Sequence, residues 1–157
     1  MKRTDVENGI LDLIKNSQLA SDLGRATIDF YDDSKINEQY QLMVARPAIL
    51  VYSGDQDFES EDIYGYTYLQ DLRVQLLVCV ENYRGAKERR QGDGVALGAN
   101  DVLDGLKDAL RGQNPIATAS TGARIFLLNE VAVPEVGPGV TFVMNLKVTD
   151  FMQPAGV

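Results

Sequence analysis

From Tyr64 to Val80 every even position is aromatic or aliphatic except Gln70, while the odd positions include Thr67, Asp71, Arg73, Gln75 and Cys79. Strict period two over that length predicts a strand with one buried face. At 3.3 Å per residue the run would extend about 60 Å. A compact chain of this size should be only about 40 Å across. The last apolar run repeats the oddity: Val140, Phe142, Met144, Leu146, Val148 and Met152 share one face, interrupted only by Asp150.

Other segments switch period. Val6, Ile10, Leu13 and Ile14 fall on one helical face, and Thr4 and Glu7 have capping-box spacing, which predicts a helix over 5–18 with Gly9 a mild cost. A second helical stripe, Ala99, Val102, Leu103, Leu106, Ala109 and Leu110, predicts a helix over 95–110, with Gly112 at its C-terminal cap. Ala26, Ile28 and Phe30 alternate as a short strand, Ala48–Tyr52 follows Pro47 as a buried strand, and 123–133 reads as another. "SGDQDFESED" (53–62) is expected to be an acidic loop, and "YRGAKERRQGDG" (83–94) a basic one.

The order helix, short strand, strand, long strand, helix, strand, long strand predicts an α+β fold: a mixed or mostly antiparallel sheet, two helices on one face, and long projecting strands. One domain over 1–157 accommodates it. A strand that outruns its domain must bend, hide a turn or project. Gly65 and the Gln70–Asp71 pair are the only break points, and neither is a strong turn signal. A projecting apolar strand is an aggregation hazard on a monomer and becomes sensible when other copies cover it.

Composition removes whole classes of chemistry. With no histidine among 157 residues, Ser-His-Asp triads, His-ligated zinc and imidazole bases are excluded. Cys79 is the only cysteine, so there is no intrachain disulfide, and inside the long strand it reads as a buried small hydrophobe. The formal net charge of −8 disfavours binding to nucleic acid or anionic membrane. Asp5 and Glu7 interrupt the N-terminus before any apolar run, so no signal peptide is expected; no segment has the length of a membrane span.

Motif-like stretches are incomplete. Counting from Asp55, a calcium loop needs glycine and a bidentate glutamate where Ser60 and Tyr66 stand. Gly92, Gly94 and Gly98 precede a helix, but the dinucleotide fingerprint needs glycine at Leu97, and no Gly-Lys-Ser/Thr follows. Asp71, Arg73 and Gln75 are accounted for by a polar strand face. No metal site, no cofactor and no enzyme activity is expected. Tyr64, Tyr66 and Tyr68 in one register suit an interface, and the basic cluster Arg84, Lys87, Arg89 and Arg90 suits an acidic partner surface such as another copy of the chain.

The succession "RPAILVYSG", "LRVQLLVCVENYRG", a basic loop and then "GVALGANDVLDGLKDALRGQ", with the N-terminal "VENGILDLIKN", resembles a family of small structural proteins from the head–tail joining and tail region of Mu-like tailed bacteriophages. The resemblance spans roughly residues 4–152 and rests on residue classes. It implies a tail-terminator type of fold working as a homohexameric ring that caps the tail tube and joins tail to head. Tail tube protein, sheath protein and neck or connector proteins are the implied partners, and the virion, assembled in the host cytoplasm, the implied location. DNA would pass such a ring without specific binding and without membrane involvement, and the acids Asp55, Asp57, Glu59, Glu61 and Asp62 are expected to face the lumen. A neck or head-completion connector is the sister expectation. A dimeric cellular ligand-binding α+β module is the expectation from a different class.

Overall fold

The computed structural model describes residues 2–35, 45–60, 68–81, 98–116, 122–133 and 139–152. Among the described residues three α-helices and a five-stranded mixed sheet give the α+β fold expected, with one helix more than the two predicted. In chain order these are α1 (Arg3–Lys15), α2 (Gln18–Leu23), β1 (Thr27–Phe30), β2 (Ala48–Ser60), β3 (Tyr68–Glu81), α3 (Ala99–Leu110), β4 (Arg124–Val133) and β5 (Gly139–Met152). The sheet order is β1-β2-β3-β5-β4, parallel only between β1 and β2.

Both long strands are real. β3 and β5 run 14 residues each and pair without interruption from Tyr68↔Met152 to Glu81↔Gly139. Gln70–Asp71 is therefore no break; Gly65 and the start of the predicted run lie outside the described residues. The alternation does what period two dictates. Leu72, Val74, Leu76 and Val78, with Met144, Leu146 and Val148, turn to one side and are buried against Val6, Ile10 and Ile14 of α1 and Val102, Leu106 and Leu110 of α3. The two exceptions to the pattern meet each other. Gln70 and Asp150 are direct register partners at the end of this buried face, 1% and 4% exposed, and Gln56 Nε2 donates to Gln70 Oε1 at 3.3 Å. Polar residues in two distant strands thus close the core with a shared polar row.

The acidic stretch 53–62 is corrected by the structure: β2 continues through it to Ser60 as a 13-residue strand. Alternation fails there because the register shifts between Ser53, opposite Val74, and Gln56, opposite Leu72, so Gly54 and Asp55 together face Arg73. Beyond this bulge odd residues take the outward side that Leu50 and Tyr52 held before it. A second shift between Leu127 and Asn129 does the same to β4.

The predicted first helix also divides, at Asn16–Ser17, where Ser17 Oγ donates to the Ile14 carbonyl at 2.6 Å. It starts at Arg3, before the predicted cap, and Lys2 caps it without a side-chain bond. Glu7 is not a capping partner; it accepts from the backbone N–H of Ser53 at 3.2 Å and from the Ser53 hydroxyl, tying α1 to β2. α3 begins at Ala99, with Gly98 as N-cap donating to Asp101 Oδ2 at 3.3 Å. Gly112 follows α3 with φ +70°, the left-handed geometry of a helix stop.

Gly9 has a packing role. A Cβ there would lie 1.6 Å from the Pro115 carbonyl oxygen, so α1 meets the 113–116 segment through backbone. Gly105 of α3 receives the Leu19 side chain of α2, with the nearest atom at 2.9 Å. Gly9→Ala is expected to destabilise the protein by about 2 kcal/mol despite its gain in helix propensity. Gly105→Ala, which meets only a side chain able to rotate, should cost less, and urea unfolding of the two variants gives the comparison.

Candidate interaction surfaces

The helices cover one side of the sheet, leaving three surfaces of distinct chemistry. The first is a cleft of about 1120 Å³ among α1, α2 and α3, rimmed by Asp5, Asp12, Asp22, Asp101, Asp104 and Asp108, with no cationic residue among the described residues that line it. Leu13, Leu19 and Ile116 contribute its apolar part. Sequence reasoning missed it, although Asp101, Asp104 and Asp108 recur at helical spacing on one face.

Lys107, on the same helix, points elsewhere. Its Nζ lies 2.8 Å from Glu130 Oε1 of β4 and 3.3 Å from Asp104 Oδ1. The Glu130 hydrogen bond, then that of Asp104, pushes its pKa above the usual lysine range.

The second surface is the outward face of the sheet. Tyr31 and Tyr52 meet edge to face at 6.2 Å and, with Leu50, Leu77 and Val143, line a groove of about 380 Å³. Val143 pairs with Val131, continuing the apolar band onto β4. Beside it runs an amide ladder: Gln75 Nε2 donates to Asn145 Oδ1 at 3.0 Å, and Asn145 Nδ2 to Asn129 Oδ1 at 2.6 Å. Cys79 is 2% exposed on this face and its sulfur accepts from the Thr141 hydroxyl at 3.6 Å. Asp71, also on this face, accepts from the Thr149 hydroxyl at 2.6 Å and lies 3.7 Å from Lys147 Nζ.

The third surface is the pair of sheet edges. β4 is an outermost strand, and Phe126, Leu128, Val131 and Val133 are 40–49% exposed along it. At the other side β1 covers only Ala48–Val51 of β2. Asp55 and Asp57, expected at a lumen, are exposed on the uncovered part of β2; Glu59 is in that strand opposite Leu69. Tyr68 opens β3 between Ser60 and Met152. Tyr64, Tyr66, Arg84, Lys87, Arg89, Arg90, Glu61 and Asp62 lie outside the described residues. Sequence reasoning missed the apolar edge of β4 because the bulge at Leu128 hides its alternation.

Among the described residues no group of three or more His, Cys, Asp or Glu is arranged to hold a metal ion, and no helix is long and apolar enough to cross a membrane. No protein-family model and no curated protein matches the chain.

The Lys107–Glu130 bridge is the clearest electrostatic tie between a helix and the edge strand. Because it raises the folded-state pKa of Lys107, its contribution is complete below the ordinary lysine value of 10.5 and disappears as pH rises through the folded value. Lys107→Met should lower stability by about 0.5–1 kcal/mol at pH 7. The difference from the parent should vanish in strongly alkaline urea titrations.

Proposed function

We infer that this chain is a structural virion protein, a tail terminator whose copies form a ring on the end of a phage tail tube and join the tail to the head. The observation that carries the reading is a sheet that, among the described residues, is covered by helices on one side only and has open edges at β4 and at residues 55–60 of β2. Among the described residues such a sheet is incomplete as a monomer: β4 pairs on one side only and carries four exposed apolar side chains, and residues 55–60 of β2 pair only with β3 and carry acids. Copies docking through these surfaces remove the hazard, and a head-to-tail contact that closes gives a ring. The resemblance to the Mu-like head–tail joining and tail family supplies the six-fold order and the partners: tail tube, sheath, and neck or connector proteins.

The net charge of −8 suits a ring through which DNA slides, since an acidic wall repels phosphate. The role needs no cofactor and no catalysis. A neck or head-completion connector uses the same ring and differs in the structure it caps. The helical cleft is the observation favouring a different class, a dimeric cellular module that binds a ligand in the 1120 Å³ space.

Light scattering on a size-exclusion column over a range of concentration and salt, with negative-stain imaging of the same fractions, tests the reading. Six-fold rings that seat on purified tail tubes are the expected result, and rings that seat only on head connectors would move the assignment to the neck. A chain that stays monomeric at every concentration and with tail tubes present overturns the ring.

A further inference from the structure

We propose that two copies of this chain pack through the outward faces of their sheets about a two-fold axis along the strands, with Arg124 of each copy over Asp57 of the other. The contact goes beyond the ring reading and does not depend on it, because it leaves the β4 edge and residues 55–60 of β2 free.

Four of the five large hydrophobic side chains exposed among the described residues share this face. Tyr52 lies opposite Gln75, Phe126 opposite Lys147, Val131 opposite Val143 and Val133 opposite Thr141, all on the side away from the helices. The fifth, Leu128, is the extra residue of the β4 bulge. Exposed apolar side chains gathered on one face, among polar ones, mark a docking surface.

Charge says which partner fits. Between the Leu50 row and the Asp57 row, this face carries the bases Arg73, Lys147 and Arg124 and the acids Asp55, Asp57 and Asp71. They balance, on a chain whose formal net charge is −8. The helical side gathers aspartates and would repel its own copy. Two acidic copies therefore meet at least electrostatic cost through their sheets.

Row order decides the geometry. Four outward rows cross β2, β3, β5 and β4: an apolar row through Leu77 and Val143, the amide row of Gln75 and Asn145, a basic row with Arg73 and Lys147, and a last row with Asp57 at one end and Arg124 at the other. Sheets stack about 10 Å apart with their strands nearly aligned. An axis along the strands, between β3 and β5, keeps each row level and sets β2 over β4 and β3 over β5 of the other copy. Apolar row then meets apolar row, amides meet amides, and Asp57 meets Arg124 twice. An axis across the strands reverses the rows and lays Leu77 and Val143 over Asp71 and Thr149, which desolvates charge without pairing it.

Asp57 and Arg124 are both exposed, and neither forms an ion pair among the described residues. Arg124 donates to the neighbouring Ala123 carbonyl at 2.7 Å. The one like-charge meeting is Arg73 over Lys147, and it has an Asp71 from each copy one row away, already 3.7 Å from Lys147 within its own subunit. Four strands about 4.8 Å apart and four outward rows about 6.7 Å apart give a footprint of about 500 Å² per copy. Two footprints reach the total of about 1,000 Å² at which a specific interface becomes tenable.

Sedimentation equilibrium of the full chain, without tail tubes, tests the contact. The parent should dimerise reversibly. Arg124→Asp and Asp57→Arg should each raise the dissociation constant about five- to tenfold, and combining them should restore it. Leu77→Asp, at the centre of the face and away from both edges, should leave only monomer. Circular dichroism and thermal unfolding check each fold, and Gln75→Arg, at an exposed position of the next row, repeats the central test if Leu77→Asp unfolds. A dimer indifferent to the central variants overturns the face, and a charge exchange that fails to restore it overturns the axis. A parent that is monomeric alone yet forms rings on tail tubes overturns the dimer and leaves the ring reading standing. A dimer that answers to these variants but never forms rings on tail tubes supports the contact and overturns the ring.

Discussion

Burial of one face of the β3–β5 pair holds this molecule together. Fourteen uninterrupted rows of pairing place Leu72, Val74, Leu76 and Val78 beside Val148, Leu146, Met144 and Phe142, and the helices cover this surface together with Ile49 and Val51 of β2 and Ile125 of β4. Everything else follows the accounting of that face. α1 and α3 lie over it, close enough that Gly9 must be glycine against the Pro115 carbonyl. Where helical cover ends, the face turns polar, with Gln70 against Asp150. Among the described residues no helix covers the opposite side of the sheet, and its side chains are correspondingly mixed: an apolar band, an amide ladder and a charged row.

Charges are sorted by side as well. The helical surface gathers aspartates around a cleft with no cation among the described residues of its lining, while Lys107 turns toward Glu130 and fastens α3 to the edge strand. On the sheet side acids and bases share rows, and Lys147 and Thr149 relieve Asp71. An excess of acid is thus concentrated where solvent screens it, with only Asp5 and Asp101 in the first turn of a helix, and is locally compensated where strands bring side chains within about 5 Å of one another.

Legibility in the sequence tracked regularity of backbone. β3 and β5 were readable almost to the residue because nothing interrupts their period of two. β4 was found, but its edge character was not, and most of β2 was taken for a loop; in both strands one inserted residue resets the alternation. "SGDQDFES" carries the signs of a turn, glycine and acids, yet neighbouring strands hold it extended. Thr4 and Glu7 had the right spacing for a cap, but Glu7 gains more from Ser53 on a strand 46 residues away, a contact no local pattern encodes. The cleft was invisible for the same reason. Its six aspartates come from three helices, and only packing brings them together. The partnership of Gln70 and Asp150 was likewise hidden, though each stood out as the single exception in its own strand.

The bulges carry a consequence for how the two outer strands tolerate change. Leu50 and Tyr52 look outward from even positions, Asp57 from an odd one, and Gly54–Asp55 is the hinge in that count. Removing one residue there would restore one-to-one pairing across from Arg73 and leave Gln56 opposite Leu72 and Asp57 opposite Asp71, each on its present face. Leu128 is the same kind of extra residue in β4, where its loss would leave Asn129 opposite Asn145 and Glu130 opposite Met144, on the side of Lys107. At both margins of the sheet the strand therefore holds one residue in reserve, which can be lost at the bulge without turning a side chain over.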